Sequence, residues 1–271
     1  MDIFFRCGLP RSGSTLLTSI LRQNEYFFCE TESSALVTAL TNTWRSFALN
    51  TISSEYEMKD LTPRRDALAG LLYGYYKSCN KSAVITNDHN WTRVSIPLLE
   101  SLIQKKLKMI VSVRAPHEIT ASFEKMRLEN PLECNFDEVK NGVSTIGSRA
   151  DYFTRFEGVF GSNYNHLYDN VIQGYSDRLL FIDYNKLCQD PDKQMKRIYN
   201  FLELPYFEHD FKNITQFKFV FHNNHAGAHF NSQHHLRSVV EPNRYLHEKY
   251  IGNHIIQQQK QHFPSFWSQY T

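Results

Sequence analysis

A strand, a glycine-containing loop and a helix follow one another at the start of the sequence, and this unit constrains the fold most. The apolar run IFF at 3–5 predicts a short buried strand over residues 3–7, and residues 14–23 carry leucines and isoleucine on one helical face. Between them lies GLPRSGST, residues 8–15. Backbone N–H groups at such a turn and at a helix N-terminus hold anions, so the unit predicts a phosphate-binding loop.

The cation of this loop is not where a nucleotide-hydrolysing P-loop has it. Ser14 occupies the lysine position of such a loop, and Arg11 supplies a positive charge three residues earlier. Arginine offers a planar and permanently charged donor set, and the hydroxyls of Ser12, Ser14 and Thr15 can donate to the same anion. The alternative is that these hydroxyls only cap the helix.

The rest of the chain repeats the alternation of strands and helices. Strands are predicted over 82–86, 108–113 and 178–184, and helices over 33–49, 64–78, 96–107, 116–128 and 190–204. This order predicts an α/β fold with a central parallel sheet flanked by helices on both faces. We expect a single domain over 1–271, in which the irregular segment 205–250 forms a lid that closes over a ligand.

Composition excludes some classes of partner. The net charge of +2 over 271 residues gives no signal for a nucleic acid or a membrane as partner. The five cysteines are scattered and form no CxxC pair, which is typical of reduced thiols in the cytosol. No signal peptide and no apolar run of spanning length is recognisable, so the sequence predicts a cytoplasmic protein.

A second anion site is predicted from the segment VSVRAPHEITASF, residues 111–123. Arg114 ends a predicted strand, and Ser122 lies eight residues later in the following helix. Ligands of parallel sheets bind at the carboxyl ends of the strands, so Arg114 shares an edge with the first loop. Two anion sites suit a ligand with two separated phosphate groups. The alternative is a surface arginine and an ordinary helical serine.

These motifs resemble those of the sulfotransferases that use 3′-phosphoadenosine 5′-phosphosulfate (PAPS). PRSGST resembles the family's 5′-phosphosulfate loop, and Arg114 and Ser122 have the spacing of its 3′-phosphate pair. FIDYNKLCQDPDKQMKRIYNFLELPY, residues 181–206, is similar to its strand, acidic turn and helix, in which a tyrosine lies near the adenine; here this is Tyr184. The resemblance spans residues 3–206 and implies the P-loop-like sulfotransferase architecture.

The resemblance implies in-line transfer of a sulfuryl group from PAPS to a hydroxyl or amine, with 3′-phosphoadenosine 5′-phosphate (PAP) as product. Charge then develops on the bridging oxygen of the leaving 5′-phosphate, and Arg11 is placed to stabilise it, with no metal required. An arginine here resembles the tyrosylprotein-type and many bacterial members. The implied cofactor-binding residues of the loop are Pro10, Arg11, Ser12, Gly13, Ser14 and Thr15.

The acceptor needs a general base, and two candidates stay open. Glu32 has the position of the catalytic glutamate in tyrosylprotein-type enzymes, with Glu30 as its near neighbour, and it is preferred. His89 has the position of the histidine in small-molecule sulfotransferases. Either group can accept a hydroxyl proton, and Asp88 could orient it. The alternatives are an acid at a helix N-terminus for Glu32 and a loop histidine for His89.

A histidine-rich segment precedes the C-terminal part of the chain. His225 and His229 have a spacing that could bind zinc on a helix, but Gly227 weakens a helix and no cysteine is near, so no metal is predicted. Family members often carry an HxxR-like segment here that closes over the cofactor. His234 and Arg237 match it, which implies that Arg237 binds the cofactor. The histidines of the segment are His222, His225, His229, His234 and His235.

Two other functions remain open from the sequence. A nucleotide kinase or NTPase would bind ATP with Mg²⁺, and the absence of lysine before Thr15 argues against it. A binding protein could keep the nucleotide pocket without catalysis. The expected acceptor is a hydroxyl-bearing small molecule, sugar or peptide entering past residues 41–80 and 130–175. Ordinary packing explains their aromatic residues equally well: Trp44, Tyr73, Tyr75, Tyr76, Tyr152 and Phe153.

Overall fold

The computed structural model describes residues 1–31, 33–49, 61–89, 91–129, 143–156, 158–215, 237–241 and 247–271. Glu32 and the histidines between 222 and 235 lie outside the described residues, so their predicted roles stay predictions. Of the segment 205–250, the described parts contain one short 3₁₀ helix, His247–Lys249, and otherwise no helix or strand. Its role as a lid, and the extent of the single domain over 1–271, also stay predictions.

The described strands form one parallel sheet, as the sequence predicts. They are β1 (Asp2–Gly8), β2 (Phe27–Cys29), β3 (Ala83–Asn87), β4 (Met109–Val113) and β5 (Leu179–Asp183), in the spatial order β2-β3-β1-β4-β5 with parallel pairing throughout. The sequence did not reveal β2, because three residues are too few for a recognisable pattern. Since β1 lies between β3 and β4, the loop after β1 opens where the strand order reverses, which is the usual ligand site of such sheets.

The six predicted helices are confirmed within a few residues at their ends, and further helices join them. The four that the sequence did not predict are α6, α7, α8 and α10 in the following series. The helices are α1 (Ser14–Leu21), α2 (Leu36–Leu49), α3 (Thr62–Tyr75), α4 (Ser95–Ile103), α5 (Pro116–Glu129), α6 (Ile146–Thr154), α7 (Val159–Ile172), α8 (Tyr184–Gln189), α9 (Pro191–Leu202) and α10 (Asn253–His262).

Both faces of the sheet are covered, which explains why its strands are almost continuously apolar. Successive residues of a strand point to opposite faces: Phe5 packs in the core with α2, α3, α4 and α7, and Phe4 packs in the core with α1 and α9. The two cores hold the sheet edge rigidly and leave the loops at its carboxyl end to carry the site. Among the described residues, no helix combines the length and apolarity needed to cross a membrane.

Candidate active site

The loop after β1 adopts a conformation that only certain residues tolerate. Arg11 and Gly13 both have left-handed backbones, with φ of 57° and 81°. At Gly13 a Cβ atom would also lie 2.3 Å from the ring of Tyr184, so both the backbone and the space require glycine. The non-glycine Arg11 is held in an unfavourable conformation, as residues at functional sites often are.

The loop is fastened to the neighbouring strand β4. The hydroxyl of the buried Ser12 lies 2.6 Å from the carbonyl oxygen of Leu9 and 3.0 Å from that of Ser112, and the Leu9 N–H donates to the same Ser112 oxygen at 2.9 Å. At Gly8 a Cβ would approach this oxygen to 2.6 Å, so the close approach needs glycine there too. The Ser12 hydroxyl, predicted to face an anion, donates to the protein backbone.

The two predicted anion sites meet in the structure. Arg11 Nε donates to Ser122 Oγ at 3.2 Å, and Arg114 Nη1 donates to the Arg11 carbonyl oxygen at 3.3 Å. Residues about a hundred positions apart in the sequence therefore lie side by side at the carboxyl ends of β1 and β4. Their two guanidinium groups therefore lie at the same edge of the sheet.

The guanidinium of Arg114 is fixed from two further sides. Its Nε donates to Glu118 Oε2 at 3.2 Å, an ion pair four residues apart in the sequence, and its charge lies 4.6 Å from the ring centroid of Tyr184. Asn185 Nδ2 also donates to Glu118 Oε2, at 3.0 Å. Neither Glu118 nor Asn185 was singled out in the sequence. Only the i,i+4 spacing of Arg114 and Glu118 could have indicated this pair.

Glu30 lies at the carboxyl end of β2, on the side of β1 that faces away from β4. It is buried, and each of its carboxylate oxygens accepts a hydrogen bond of 2.7 Å, one from the Tyr76 hydroxyl and one from the Asn87 N–H. Burial, with the nearby Glu30 charge as a second cause, raises the pKa of Tyr76. The phenol therefore stays protonated and donates to Glu30.

Arg6, a residue not predicted from the sequence, connects the loop to Glu30. Its side chain points from β1 into the protein and is 1% exposed. Nη1 donates to the Ser14 carbonyl oxygen at 3.2 Å, and Nη2 donates to that of Glu30 at 3.3 Å. Burial lowers the pKa of Arg6 to about 10. An arginine in an otherwise apolar strand is the signal that could have indicated it, since buried arginines need partners.

His89 lies where β1 ends. Burial is the main cause that lowers its pKa below the ordinary 6.5, the Arg6 charge lowers it further, and a hydrogen bond with the Gly8 backbone opposes both. The ring is therefore neutral at neutral pH. Asp88, next to it, accepts from the N–H and the hydroxyl of Thr38, both at 3.1 Å, and so caps the first turn of α2. Its negative charge also acts on the His89 ring.

Comparison with known proteins shows to which protein family the chain belongs. Residues 2–267 match the sequence model of the sulfotransferase domain. The chain belongs to the sulfotransferase family. It is thus an enzyme that transfers a sulfuryl group. No curated protein matches the sequence significantly.

Solved structures of other sulfotransferases are similar to this sulfotransferase. The sulfotransferase domain of the curacin biosynthetic pathway is similar with a TM-score of 0.51 at 18% identity, over 96% of both chains. The sulfotransferase domain of the Synechococcus PCC 7002 olefin synthase reaches 0.48 at 19% identity, over 76% of this chain and 74% of that one. Mouse sulfotransferase SULT7A1 complexed with PAP reaches 0.47 at 19% identity, over 75% and 59%.

Of the other residues predicted to bind the cofactor of the sulfotransferase, Tyr184 contacts the loop and Arg237 is exposed to solvent. Tyr184 packs between Gly13 and Arg114, and burial raises its pKa to about 12. Arg237 is exposed and forms an ion pair of 2.9 Å with Glu241, yet its charge acts on Tyr184. Pro10 belongs to the turn of the loop, and α1 starts at Ser14, so Ser14 and Thr15 form its first turn.

The aromatic residues predicted for the acceptor entrance divide into two groups. Tyr76 and Phe153 are buried, and Phe153 stacks on Phe123 with centroids 4.8 Å apart, so both serve packing. Tyr73 and Tyr75, at the end of α3, are 42% and 52% exposed. Trp44 and Tyr152 are partly buried. Tyr76 itself donates to Glu30, and the exposed Tyr75 contacts the Tyr76 ring with centroids 4.9 Å apart.

Proposed function

We propose that this sulfotransferase uses PAPS as sulfuryl donor and that Arg11, Ser122 and Arg114 bind its two ends. One observation carries the proposal: Arg11 Nε lies 3.2 Å from Ser122 Oγ, and Arg114 Nη1 lies 3.3 Å from the Arg11 carbonyl oxygen. Two cations and a hydroxyl at one sheet edge suit a ligand with two anionic groups. The mouse relative SULT7A1 is complexed with PAP, which has such groups.

In this proposal the cofactor exchanges the Arg11–Ser122 hydrogen bond for bonds to its own oxygens. Arg114 and Ser122 hold the 3′-phosphate, and Arg11 turns to the 5′-phosphosulfate beside the loop residues Pro10 to Thr15. As the bond between sulfur and the bridging oxygen lengthens, negative charge develops on that oxygen. Arg11 stabilises this charge more than it stabilises the bound ground state, and so lowers the barrier. Tyr184 and Arg237 flank the adenine side.

The general base is assigned among three groups. His89 is supported by its neutral ring at the end of β1, because a neutral imidazole can accept the acceptor's proton directly. Glu30 already accepts two hydrogen bonds, but a carboxylate has about four lone-pair sites and keeps capacity for a third. Glu32 keeps its predicted role from the sequence resemblance. We propose His89 as the base among the described residues, with Asp88 acting on it electrostatically.

We propose further that the acceptor carries its hydroxyl on an apolar or aromatic body. Phe28 and Tyr75 are 42% and 52% exposed, and both rings contact Tyr76, which donates to Glu30. Exposed aromatic rings beside a polar group are typical of ligand entrances. A Tyr75→Ala variant is expected to raise KM for the acceptor several-fold and leave PAP affinity unchanged. Equal KM values in the two proteins would contradict this entrance.

The proposed donor is tested by calorimetric titration with PAP and with ATP, each with and without Mg²⁺. We expect tight binding of PAP that does not depend on Mg²⁺, and weak binding of ATP. Tight, Mg²⁺-dependent binding of ATP without binding of PAP would instead support a kinase or NTPase. A screen of phenols, sugars and peptides with radiolabelled PAPS then identifies the acceptor. Binding of PAP with no transfer to any acceptor class would favour a binding protein.

A further inference from the structure

Three metal-ligating side chains meet where α5 contacts the short helix His247–Lys249. One donor atom each from His117, Glu118 and His247 lies within 4.8 Å of the donor atoms of the other two. The two imidazole rings are in edge contact, with centroids 4.7 Å apart and planes at 72°. We propose that these three residues form a binding site for a divalent transition-metal ion, with Zn²⁺ as the best fit.

His117 lacks a partner that its position demands. Its side chain lies in the interface with the C-terminal part of the chain and is only 8% exposed. Within the described part of the chain, its Nδ1 atom is buried and has no hydrogen-bond partner. Buried polar atoms nearly always have one, and a metal ion would satisfy this nitrogen.

His247 has the second partner that metal-binding histidines usually have. Its Nε2 lies 2.9 Å from Glu248 Oε1, and histidine ligands commonly donate their other N–H to a carboxylate, which orients the ring and raises its basicity. Donation from Nε2 leaves Nδ1 to bind the ion. Glu248 thus acts as the positioning residue of the site.

The donor set and spacing fit zinc. Two imidazoles and one carboxylate are a common zinc set, with a fourth position left for water or another ligand. Bond lengths near 2.0–2.2 Å place the donors of one zinc ion about 3.3 Å apart. In the structure the three donor atoms lie within 4.8 Å of one another. Small side-chain rotations would therefore bring them to the separation that a zinc ion requires. No sequence pattern indicates this site, because His247 follows the other two ligands only after more than a hundred residues.

Occupancy of the site also affects the proposed phosphate site, and this consequence rests on the proposed function. Glu118 accepts from Arg114 at 3.2 Å, so an ion bound to Glu118 competes for the carboxylate that holds Arg114. The ion also adds positive charge next to the predicted 3′-phosphate position. We therefore expect the metal to tighten PAP binding, and PAP to tighten metal binding by the same factor.

The site is tested by titrating Co²⁺ into the full-length protein, without an affinity tag, and recording the visible absorption of the bound ion. We expect one Co²⁺ per chain, displaced by Zn²⁺. His247→Asn and Glu118→Gln should each weaken binding more than 100-fold, and Glu248→Gln about 10- to 100-fold. The control is the double variant His225→Asn, His229→Asn, which removes the pair with metal-like spacing in the histidine-rich segment and should bind as the unsubstituted protein does.

The outcomes separate the metal site from the proposed function. Absence of the Co²⁺ band, or its loss only in the His225/His229 variant, would overturn the site. Because His247 is partly exposed, His247→Asn should fold, and an unchanged thermal midpoint of the metal-free variant checks this. Co²⁺ binding without any PAP binding would count against PAPS use and still support the site. PAP affinity that is the same with and without Zn²⁺ would overturn the coupling.

Discussion

The proposed cofactor side and the proposed acceptor side of this sheet edge satisfy their charged groups differently. On the cofactor side, Arg11 donates to the Ser122 hydroxyl, and Arg114 donates to the Arg11 carbonyl oxygen and to the Glu118 carboxylate. On the acceptor side, Glu30 accepts two hydrogen bonds of 2.7 Å from groups within the protein. We expect a phosphate to replace the neutral partners of the two arginines, whereas the Glu30 carboxylate stays in place. In this proposal, cofactor binding and acceptor activation therefore depend on different kinds of residue.

Removal of the loop cation should have the largest effect. Arg11→Ala is expected to lower kcat about 10³-fold, because the charge on the leaving oxygen loses its nearest fixed cation. PAP affinity should fall much less, since the product lacks the sulfuryl group. Arg11→Lys serves as the control and should recover part of the rate. Steady-state kinetics with PAPS check this, and near-normal turnover of Arg11→Ala would remove Arg11 from the mechanism.

The base is identified by a pair of substitutions on the acceptor side. His89→Ala should lower kcat about 10²-fold or more if His89 accepts the proton. Glu30→Gln keeps the shape of the side chain and should have a smaller effect if Glu30 only holds Tyr76 and Asn87. Glu32→Gln tests the third candidate in the same assay. A full loss of activity in Glu30→Gln or Glu32→Gln, with His89→Ala unimpaired, would contradict the assignment to His89.

Arg6, which connects the two sides, should contribute to the free energy of unfolding. Arg6→Met leaves the buried carbonyl oxygens of Ser14 and Glu30 without their donor, so the free energy of unfolding should fall by about 2–3 kcal/mol. Arg65→Met is the matched control, because Arg65 forms an exposed pair with Asp66, and should change stability by less than about 0.5 kcal/mol. Urea unfolding measures both. Equal changes in the free energy of unfolding in the two variants would show that the buried contacts of Arg6 do not stabilise the fold more than an exposed ion pair does.

The smallest expected effect is the pH dependence of kcat/KM, which reports on the protonation of His89. The pKa of His89 is lowered, so its ring stays neutral, and active as a base, below the ordinary value of 6.5. The kcat/KM profile should therefore stay level through pH 6.5 and fall only at lower pH, as the ring becomes protonated. A fall that begins above pH 7, or no fall at all in the acid range, would argue against His89.

The same comparison explains how much the sequence could predict. Arg11, Arg114 and Ser122 lie in motifs next to apolar strands, and parallel topology brings such positions together. The acceptor side depends on contacts between distant segments, such as Tyr76 with Glu30 and Arg6 with Ser14, for which no local pattern exists. The strand β2 is only three residues long and has no recognisable pattern either. The contacts of Glu30, which directly follows this strand, were therefore not predicted.

In the proposed function, Arg114 and Ser122 bind the 3′-phosphate of the donor. This assignment is tested by titrating PAP and AMP, which lacks the 3′-phosphate, into the unsubstituted protein and Arg114→Ala. We expect the unsubstituted protein to bind PAP about 100-fold more tightly than AMP, from charge-assisted hydrogen bonds worth about 1.5–3 kcal/mol each. Arg114→Ala should lose most of this preference and keep its affinity for AMP. Equal affinity of the unsubstituted protein for PAP and AMP, or an equal loss for both in Arg114→Ala, would contradict the account.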